Sequence, residues 1–274
     1  MNYLTEKKCV QAWVESFLQA EAKGYVLLGD LREAYERATR LPFDDGESVL
    51  VRHHLVDCCT GFWGATRPAG AVRDDAVLTG VSLRPEQRMY GKPVLYVAAK
   101  TIINVDSAFN HKDLSSVGAA NEGTACAFSC DYCSTGASMN RNPQVRILEV
   151  LGVKHGDVVI RRLDALETAR AQLLNPDGSP IYNDPADTRI LEVASIVDPL
   201  PNNELVEETH SLVKTVFELT PWRVRVLTKS GLLAPFARRF SQTERKRLIL
   251  GFSIGIPEDH IAHDLERHTT PPTV

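Results

Sequence analysis

Apolar positions in the second half of the chain alternate between segments with a helical repeat and short runs typical of strands. Helices are predicted over 157–174, 204–217, 232–240 and 259–267, and strands over 189–197, 223–228 and 248–254. A turn is predicted at Asn175-Pro176-Asp177-Gly178. Strands that alternate with helices predict a parallel sheet with right-handed crossovers, so the predicted fold class is α/β.

The N-terminal part of the chain has a different pattern, which predicts a small helical region. Helices are predicted over 5–23, where Trp13 lies on an apolar face, and over 30–39, and an apolar stretch follows over 49–58. Residues 61–92 are rich in Gly and Pro and show no sustained period, so we interpret them as a connection.

A boundary near residue 90 divides the chain into a helical N-terminal region, 1–90, and a core region, 91–274. Residues 94–105 have a strand-rich composition and are expected to form the first strand of the core. Residues 104–123 are expected to form a loop that leads into a cluster of cysteines.

The composition is that of an ordinary globular protein, since 43% of the 274 residues are hydrophobic and 24% are charged. The net charge of -4 provides no bulk basic field of the kind that indicates nucleic-acid binding. No apolar run approaches the ~18 residues that span a bilayer, and the N-terminus has no apolar signal core. We therefore expect a soluble, cytoplasmic protein with no membrane partner.

Three cysteines with the spacing Cys126-x3-Cys130-x2-Cys133 give the strongest chemical signal in the chain. Three thiolates at this spacing can hold three corners of a cubane iron–sulfur cluster and leave its fourth iron open, whereas such clusters ordinarily take four cysteines. An open position on a metal centre is a position for a substrate or a cofactor. The remaining cysteines are expected to be packing residues: Cys9, Cys58 and Cys59.

Two other interpretations of the motif stay open. Structural zinc ions usually have four ligands that come in pairs, and Cys130 and Cys133 would form one such pair. His111 or His155 could then supply a further ligand. Alternatively, the three cysteines are buried thiols that bind no metal.

The cysteine spacing resembles the signature of the radical S-adenosylmethionine (SAM) enzymes, and Tyr132, directly before the third cysteine, also fits that pattern. The predicted strand ends extend the resemblance. They carry Val-Asp-Pro at 197–199, Thr-Lys-Ser at 228–230 and Ser-Ile-Gly-Ile at 253–256. These segments are similar to those of the spore photoproduct lyase branch of the family. The resemblance covers about residues 94–274.

The resemblance implies a partial parallel (β/α) barrel of the radical SAM type. The barrel of that family has more strand–helix units than the four that the pattern predicts here, counting 94–105 as the first. We therefore expect a radical SAM core that is truncated, and so incomplete, at the C-terminus.

The resemblance also implies a role for each candidate site residue. The three motif cysteines would bind a 4Fe–4S cluster. Ser195, Lys229 and Ser253 would contact the amino-acid part of SAM, because an ammonium and hydroxyl groups suit a carboxylate. Tyr132 would pack against adenine. Asp198 is a further candidate for cofactor binding. Alternatively, Asp198 caps the following turn, the serines pack inside strands, and Lys229 extends towards solvent.

The resemblance implies a radical SAM enzyme. In that family a reduced cluster cleaves SAM to methionine and a 5'-deoxyadenosyl radical, which abstracts hydrogen from a substrate. The implied partner is a one-electron reductant of the flavodoxin or ferredoxin type. The branch implies an activity like that of a DNA photoproduct lyase, so nucleic acid is a partner by resemblance alone and the substrate stays unnamed. The alternatives are a structural or interaction module that binds zinc or an iron–sulfur cluster, and an inactive, truncated remnant.

Overall fold

The chain forms two compact units. The first contains Met1–Val97 and Gly136–Val158, and the second contains Ala98–Thr135 and Val159–Val274. The computed structural model describes residues 11, 13–14, 18–27, 32, 34–35, 54–58, 77–83, 87–97, 99–105, 115–139 and 155–273.

The first unit contains antiparallel strand pairs together with helical residues. Its strands are β1 (Leu18–Leu27), β2 (Val77–Leu83), β3 (Arg88–Met89) and β4 (Lys92–Val97). β1 pairs with β2, and β3 pairs with β4. Tyr90 and Gly91 join the second pair at φ 49° and 80°, the left-handed conformation that a two-residue hairpin turn requires. The helical residues are 11, 13–14, 32, 34–35, 54–58 and a short 3-10 turn, His155–Asp157.

The prediction of a small helical N-terminal region misses two strands. The helix predicted over 5–23 is present at Trp13 but gives way at Leu18 to β1. Residues 61–92, which were interpreted as a connection, contain β2. β1 and β2 are far apart in the chain but form backbone hydrogen bonds with each other. The local sequence of each strand therefore need not show a strand pattern.

The second unit is built on a five-stranded sheet. Its elements in chain order are β5 (Ile103–Asn104), β6 (Gly118–Ala120), β7 (Gly123–Ala125), β8 (Ser129–Cys130), α1 (Thr135–Met139, which only begins in this unit), β9 (Val159–Arg162), α2 (Ala165–Gln172), β10 (Ile190–Val193), α3 (Asn203–Leu219), β11 (Arg223–Thr228), α4 (Leu233–Arg238), α5 (Gln242–Arg245), β12 (Leu248–Phe252), α6 (Asp259–Leu265) and β13 (Glu266–Arg267). The strand order is β12-β11-β10-β6-β5. β6, β10, β11 and β12 are parallel neighbours in the same order as in the chain, so the α/β class is confirmed.

The first parallel strand lies where the sequence predicted a loop. β6 falls inside 104–123, and the predicted first strand over 94–105 contributes only β4 and the short β5, which is antiparallel to β6. Gly118 has φ 151°, and a Cβ at this position would overlap with the carbonyl oxygen of Asn104. A strand built from Gly and Ala has no hydrophobic period, so its position depends on the neighbouring strands.

The helix predicted over 157–174 is also wrong in its first half. Residues 159–162 form β9, and the helix begins only at Ala165. β9 pairs antiparallel with β7, which leads into the cysteine motif. The predicted turn at the end of this segment is confirmed, because the Gly178 N–H donates to the Asn175 carbonyl at 2.9 Å.

Helix α3 packs one apolar face against the parallel sheet. Asn202 caps its N-terminus by accepting a hydrogen bond from the Leu205 N–H at 2.9 Å. The shared core includes Val206, Val213 and Val216 of α3 with Leu191 and Val193 of β10 and Val224 and Val226 of β11. Successive strand residues face opposite sides of a sheet, so Glu192 and Arg225 lie on the side away from α3.

A buried polar network anchors the approach to the cysteine motif. Glu122, only 4% exposed, precedes β7, and its carboxyl lies 3.0 Å from the hydroxyl of Thr209 on α3. Arg161 of β9 is also buried and pairs with Glu208 on the same helix. Burial raises the pKa of Glu122 to about 7, and the charge of Arg161 opposes this shift.

We expect Glu122→Gln to flatten the pH dependence of stability. A carboxyl with a raised folded pKa favours the folded state while it is protonated. Its contribution is therefore present below the ordinary pKa of 4.5 and is lost as the pH rises through about 7. As the pH rises from about 5 to about 8, the unfolding free energy of the parent should fall by roughly 1–3 kcal/mol more than that of the variant. Urea unfolding at each pH measures this, with Glu218→Gln on the exposed face of α3 as the control. Parallel pH profiles for parent and variant would contradict it.

Candidate functional site

The motif cysteines lie on a loop that two separate segments hold in place. On the approach, β7 pairs with β9. Further along, β8 pairs antiparallel with β13, so that Cys130 lies opposite Glu266. The Asp131 N–H donates to the Leu265 carbonyl at 2.8 Å, and the Cys133 N–H donates to the Cys130 carbonyl at 3.0 Å. The chain reversal that presents the thiols therefore depends on the segment around residue 266.

The thiols of Cys126 and Cys130 are partly buried, whereas Cys133 is exposed. The sulfur of Cys126 accepts hydrogen bonds from the backbone N–H of Asp198, at 3.3 Å, and from that of Phe128. Burial raises the pKa of the Cys126 thiol to about 12 and that of Cys130 to about 11, and the charge of Lys229 opposes the shift at Cys130. Metal binding at these residues would replace their protons.

A cavity of about 270 Å³ lies between the cysteine loop and the carboxyl ends of β10, β11 and β12. All but one of the predicted site residues line it: Cys126, Cys130, Cys133, Ser195, Asp198, Lys229 and Ser253. The exception is Tyr132, which is 51% exposed but accepts a hydrogen bond from Lys229 through its hydroxyl. The fold thus brings the predicted residues together, and their roles towards a cofactor stay predictions.

Lys229 directs its ammonium into the protein and not towards solvent. Its Nζ donates to the carboxylate of Glu266 at 2.6 Å, to the carbonyl of Ser253 at 2.9 Å and to the hydroxyl of Tyr132 at 3.0 Å. The side chains of Lys229 and Glu266 are only 15% and 4% exposed. The alternative that Lys229 extends into water is therefore wrong.

Asp198 forms hydrogen bonds with its own turn, with the end of β11 and with the cysteine loop. Its carboxylate accepts hydrogen bonds from the Leu200 N–H at 2.9 Å, the Thr228 hydroxyl at 2.6 Å and the Lys229 N–H at 2.8 Å. Its own N–H donates to Cys126. Burial raises its pKa, and these hydrogen bonds oppose the shift. The predicted cap of the following turn is confirmed, and the same side chain connects the cysteine loop to the ends of β10 and β11.

Ser195 and Ser253 both lie just beyond the ends of parallel strands, so the alternative that they pack inside strands is wrong. β10 ends because Ala194 adopts the left-handed conformation, at φ 59°. The Ser195 hydroxyl donates to the side-chain oxygen of Asn121 at 3.2 Å. The Ser253 N–H donates to the Thr228 carbonyl at 2.8 Å. Both serines border the cavity.

Two acidic residues of the site did not emerge from the sequence. Glu192 lines the cavity, and one oxygen of its carboxylate lies 3.9 Å from Arg225 and has no hydrogen-bond partner among the described residues. Burial raises the pKa of Glu192 to about 7. The second residue, Glu266, accepts a hydrogen bond from the ammonium of Lys229. Each had a weak local signal: Glu192 is a charged residue within an apolar strand, and Glu266 follows a helix C-terminus, where a carboxylate is unfavourable.

The donor set of this loop fits an iron–sulfur cluster. Three thiols border one cavity, and backbone N–H groups donate to the sulfur of Cys126, as they do to cluster sulfurs. Among the residues that the structure describes, no three His, Cys, Asp or Glu side chains converge on a position for one metal ion. The zinc ligands considered above, His111 and the side chain of His155, lie outside the described part, as do Cys9 and Cys59.

Comparison with known proteins yields few relatives. No protein family matches the sequence, and no curated protein matches it. Two solved structures are similar to this one. They are spore photoproduct lyase complexed with dinucleoside spore photoproduct, at 13% identity, and a cysteine-to-alanine mutant of spore photoproduct lyase with the same ligand, at 14% identity. Both have a TM-score of 0.43 and cover 65% of this chain, which spans 44% and 43% of theirs.

Within the described ranges, no helix has the length and apolar character needed to cross a membrane.

Proposed function

We propose that this chain is a radical SAM enzyme that binds a 4Fe–4S cluster at Cys126, Cys130 and Cys133. The observation that carries the proposal is the shared cavity. It places the three thiols of the motif beside Lys229 and two serines, at the carboxyl ends of parallel strands. Parallel α/β folds place their sites at these ends. The parallel strands are also neighbours in chain order, as in a segment of a (β/α) barrel.

Each residue of the cavity has a task that its chemistry supports. When bound, a reduced cluster supplies the electron that cleaves SAM. The backbone N–H of Asp198 stabilises negative charge on the Cys126 sulfur. Lys229 binds and orients the carboxylate of SAM, with the hydroxyls of Ser195 and Ser253 as further partners. Tyr132 presents its ring to adenine.

The substrate and the electron donor belong to the same proposal. The resemblance to the spore photoproduct lyase branch supports a lyase-like reaction on a nucleic-acid lesion. A flavodoxin or a ferredoxin is the class of protein that would reduce the cluster by one electron.

Detection of 5'-deoxyadenosine tests the proposal. The full chain is reconstituted anaerobically with iron and sulfide, reduced with dithionite and incubated with SAM, and the nucleoside is quantified by chromatography. We expect formation of 5'-deoxyadenosine that depends on both cluster and reductant. One tightly bound zinc per chain would instead support a structural module. A complete cluster with no SAM cleavage would show that this chain is inactive.

We expect Lys229→Met to weaken SAM binding by roughly 10- to 150-fold, because a hydrogen bond to a charged group contributes about 1.5–3 kcal/mol. Calorimetric titration of the cluster-loaded protein with SAM measures the affinity. Lys214→Met, on α3 and paired with Glu244 at the surface, is the matched control and should bind SAM like the parent.

Removal of Lys229 alone would leave the carboxylate of Glu266 buried without its partner. The double variant Lys229→Met/Glu266→Gln avoids this and separates binding from folding. If the double variant binds SAM as tightly as the single variant Glu266→Gln, Lys229 does not contact the cofactor.

A further inference from the structure

The segment 266–272 contacts two parts of the candidate site, the cysteine loop and the end of β11. Its first residues form β13, which pairs with β8 of the cysteine loop. Further along, the Thr270 N–H donates to the carbonyl of Lys229 at 3.1 Å, and the Thr270 hydroxyl accepts from the Gly231 N–H at 2.7 Å. The segment therefore connects the loop that carries the thiols to the end of β11.

Glu266, within this segment, already supplies a carboxylate to Lys229. An ammonium has three hydrogens, and those of Lys229 are directed at Glu266, Ser253 and Tyr132. The shortest of these contacts, 2.6 Å, is the one to the Glu266 carboxylate. A ligand carboxylate that binds Lys229 must replace one of the three, and it would be repelled by Glu266 if both stayed in place.

Further contacts hold the Glu266 carboxylate at this position. The Gly255 N–H donates to it, and a Cβ at Gly255 would overlap with Glu266 and with the hydroxyl of Tyr132. The absence of a side chain at Gly255 thus allows the backbone, the carboxylate and the phenol to pack closely around the ammonium of Lys229. The pairing that carries Glu266 is short, since β13 has two residues, and so short a ladder opens at small cost.

We propose that Glu266 is an internal competitor for Lys229, which the carboxylate of the cofactor must displace, so that segment 266–272 loses its contacts with the site when SAM binds. This inference rests on the proposed function. It assigns to Glu266 a part in selecting the ligand: only a ligand with its own carboxylate can take over the ammonium.

Titration of Glu266→Gln with two ligands tests the competition. Gln keeps the size and an acceptor oxygen but removes the charge, so the full chain, loaded with its cluster, should keep the same fold. We expect SAM to bind the variant at least about 10-fold more tightly than the parent, equivalent to about 1.4 kcal/mol. Decarboxylated SAM, which lacks the group that competes, should bind both proteins equally. Glu258→Gln, an exposed glutamate at the start of α6, is the matched control and should change neither affinity.

Hydrogen–deuterium exchange gives a second measurement that needs no catalysis. The amide of Thr270 reports the contact of the segment with Lys229, and the amide of Asp131, which donates to the Leu265 carbonyl, reports the contact directly before β13. SAM should raise their exchange in the parent, although bound ligands ordinarily slow exchange. Without SAM, the same amides should exchange faster in Glu266→Gln than in Glu258→Gln.

The outcomes distinguish the inference from the proposed function. Weaker SAM binding by Glu266→Gln would show that Glu266 positions Lys229 and does not compete, and equal gains for SAM and its decarboxylated form would exclude competition for the carboxylate. Unchanged affinity for SAM would also overturn the inference, and in these three cases the proposed function stands. No SAM binding by either protein would reject both.

Discussion

We expect Cys130→Ala to abolish assembly of the cluster while the chain stays folded. Cys130 lines the cavity on β8, and two remaining thiolates cannot hold a cluster that leaves one iron open. Iron and sulfide should fall from about four of each per chain to near zero after anaerobic reconstitution. Iron and sulfide assays, with electron paramagnetic resonance of the reduced protein, measure this.

Cys58→Ala is the control for this experiment, because Cys58 belongs to the helical residues 54–58 of the first unit. It should keep the full iron content, and circular dichroism should show both variants folded. A complete cluster in Cys130→Ala would show that this thiol is not a ligand and would remove the main support for the proposed function.

We expect Asp198→Ala to lower the unfolding free energy by about 3–5 kcal/mol, the largest effect on stability among the predictions. Its carboxylate is the shared acceptor for three donors, and Thr228, one of them, is 1% exposed. Deletion leaves these donors without their acceptor, and for the buried Thr228 hydroxyl this costs more than the bond itself contributed.

Urea unfolding of the protein without cluster measures this effect, and two variants calibrate it. Asp198→Asn keeps one acceptor oxygen and should lose less. Asp177→Ala removes a comparable turn carboxylate that is exposed and binds Ser179, and it should destabilise the fold far less than Asp198→Ala. A loss below about 1 kcal/mol in Asp198→Ala would mean that the rim residues are held together by other contacts.

Both variants change residues that the sequence singled out, and the elements that the sequence predicts correctly are those whose local pattern agrees with their tertiary environment. The strand predicted over 223–228 has the bounds of β11, and the helix predicted over 204–217 is contained in α3. In these elements the local period, the cap at Asn202 and the tertiary environment agree, so a single pattern is enough.

Local pattern failed where a strand owes its position to a distant partner. β6 consists of small residues that fit between β5 and β10, and β1 and β2 stabilise each other across the first unit. Their residues carry either no period or a period that also suits a helix. The true first strand of the parallel sheet was therefore assigned to a loop.

The candidate site likewise combines features that are local in the sequence with contacts between distant residues. The spacing of the three cysteines and the polar residues after the strands are local features, because ligands on one loop and residues at strand ends depend on short stretches of chain. The sequence by itself determined those residues. Only the tertiary structure decided that Lys229 is bound by Glu266 and that Asp198 joins the cysteine loop to β11. These contacts connect residues far apart in the chain, and nothing in the local composition selects one buried partner for a charge among the many acidic residues available.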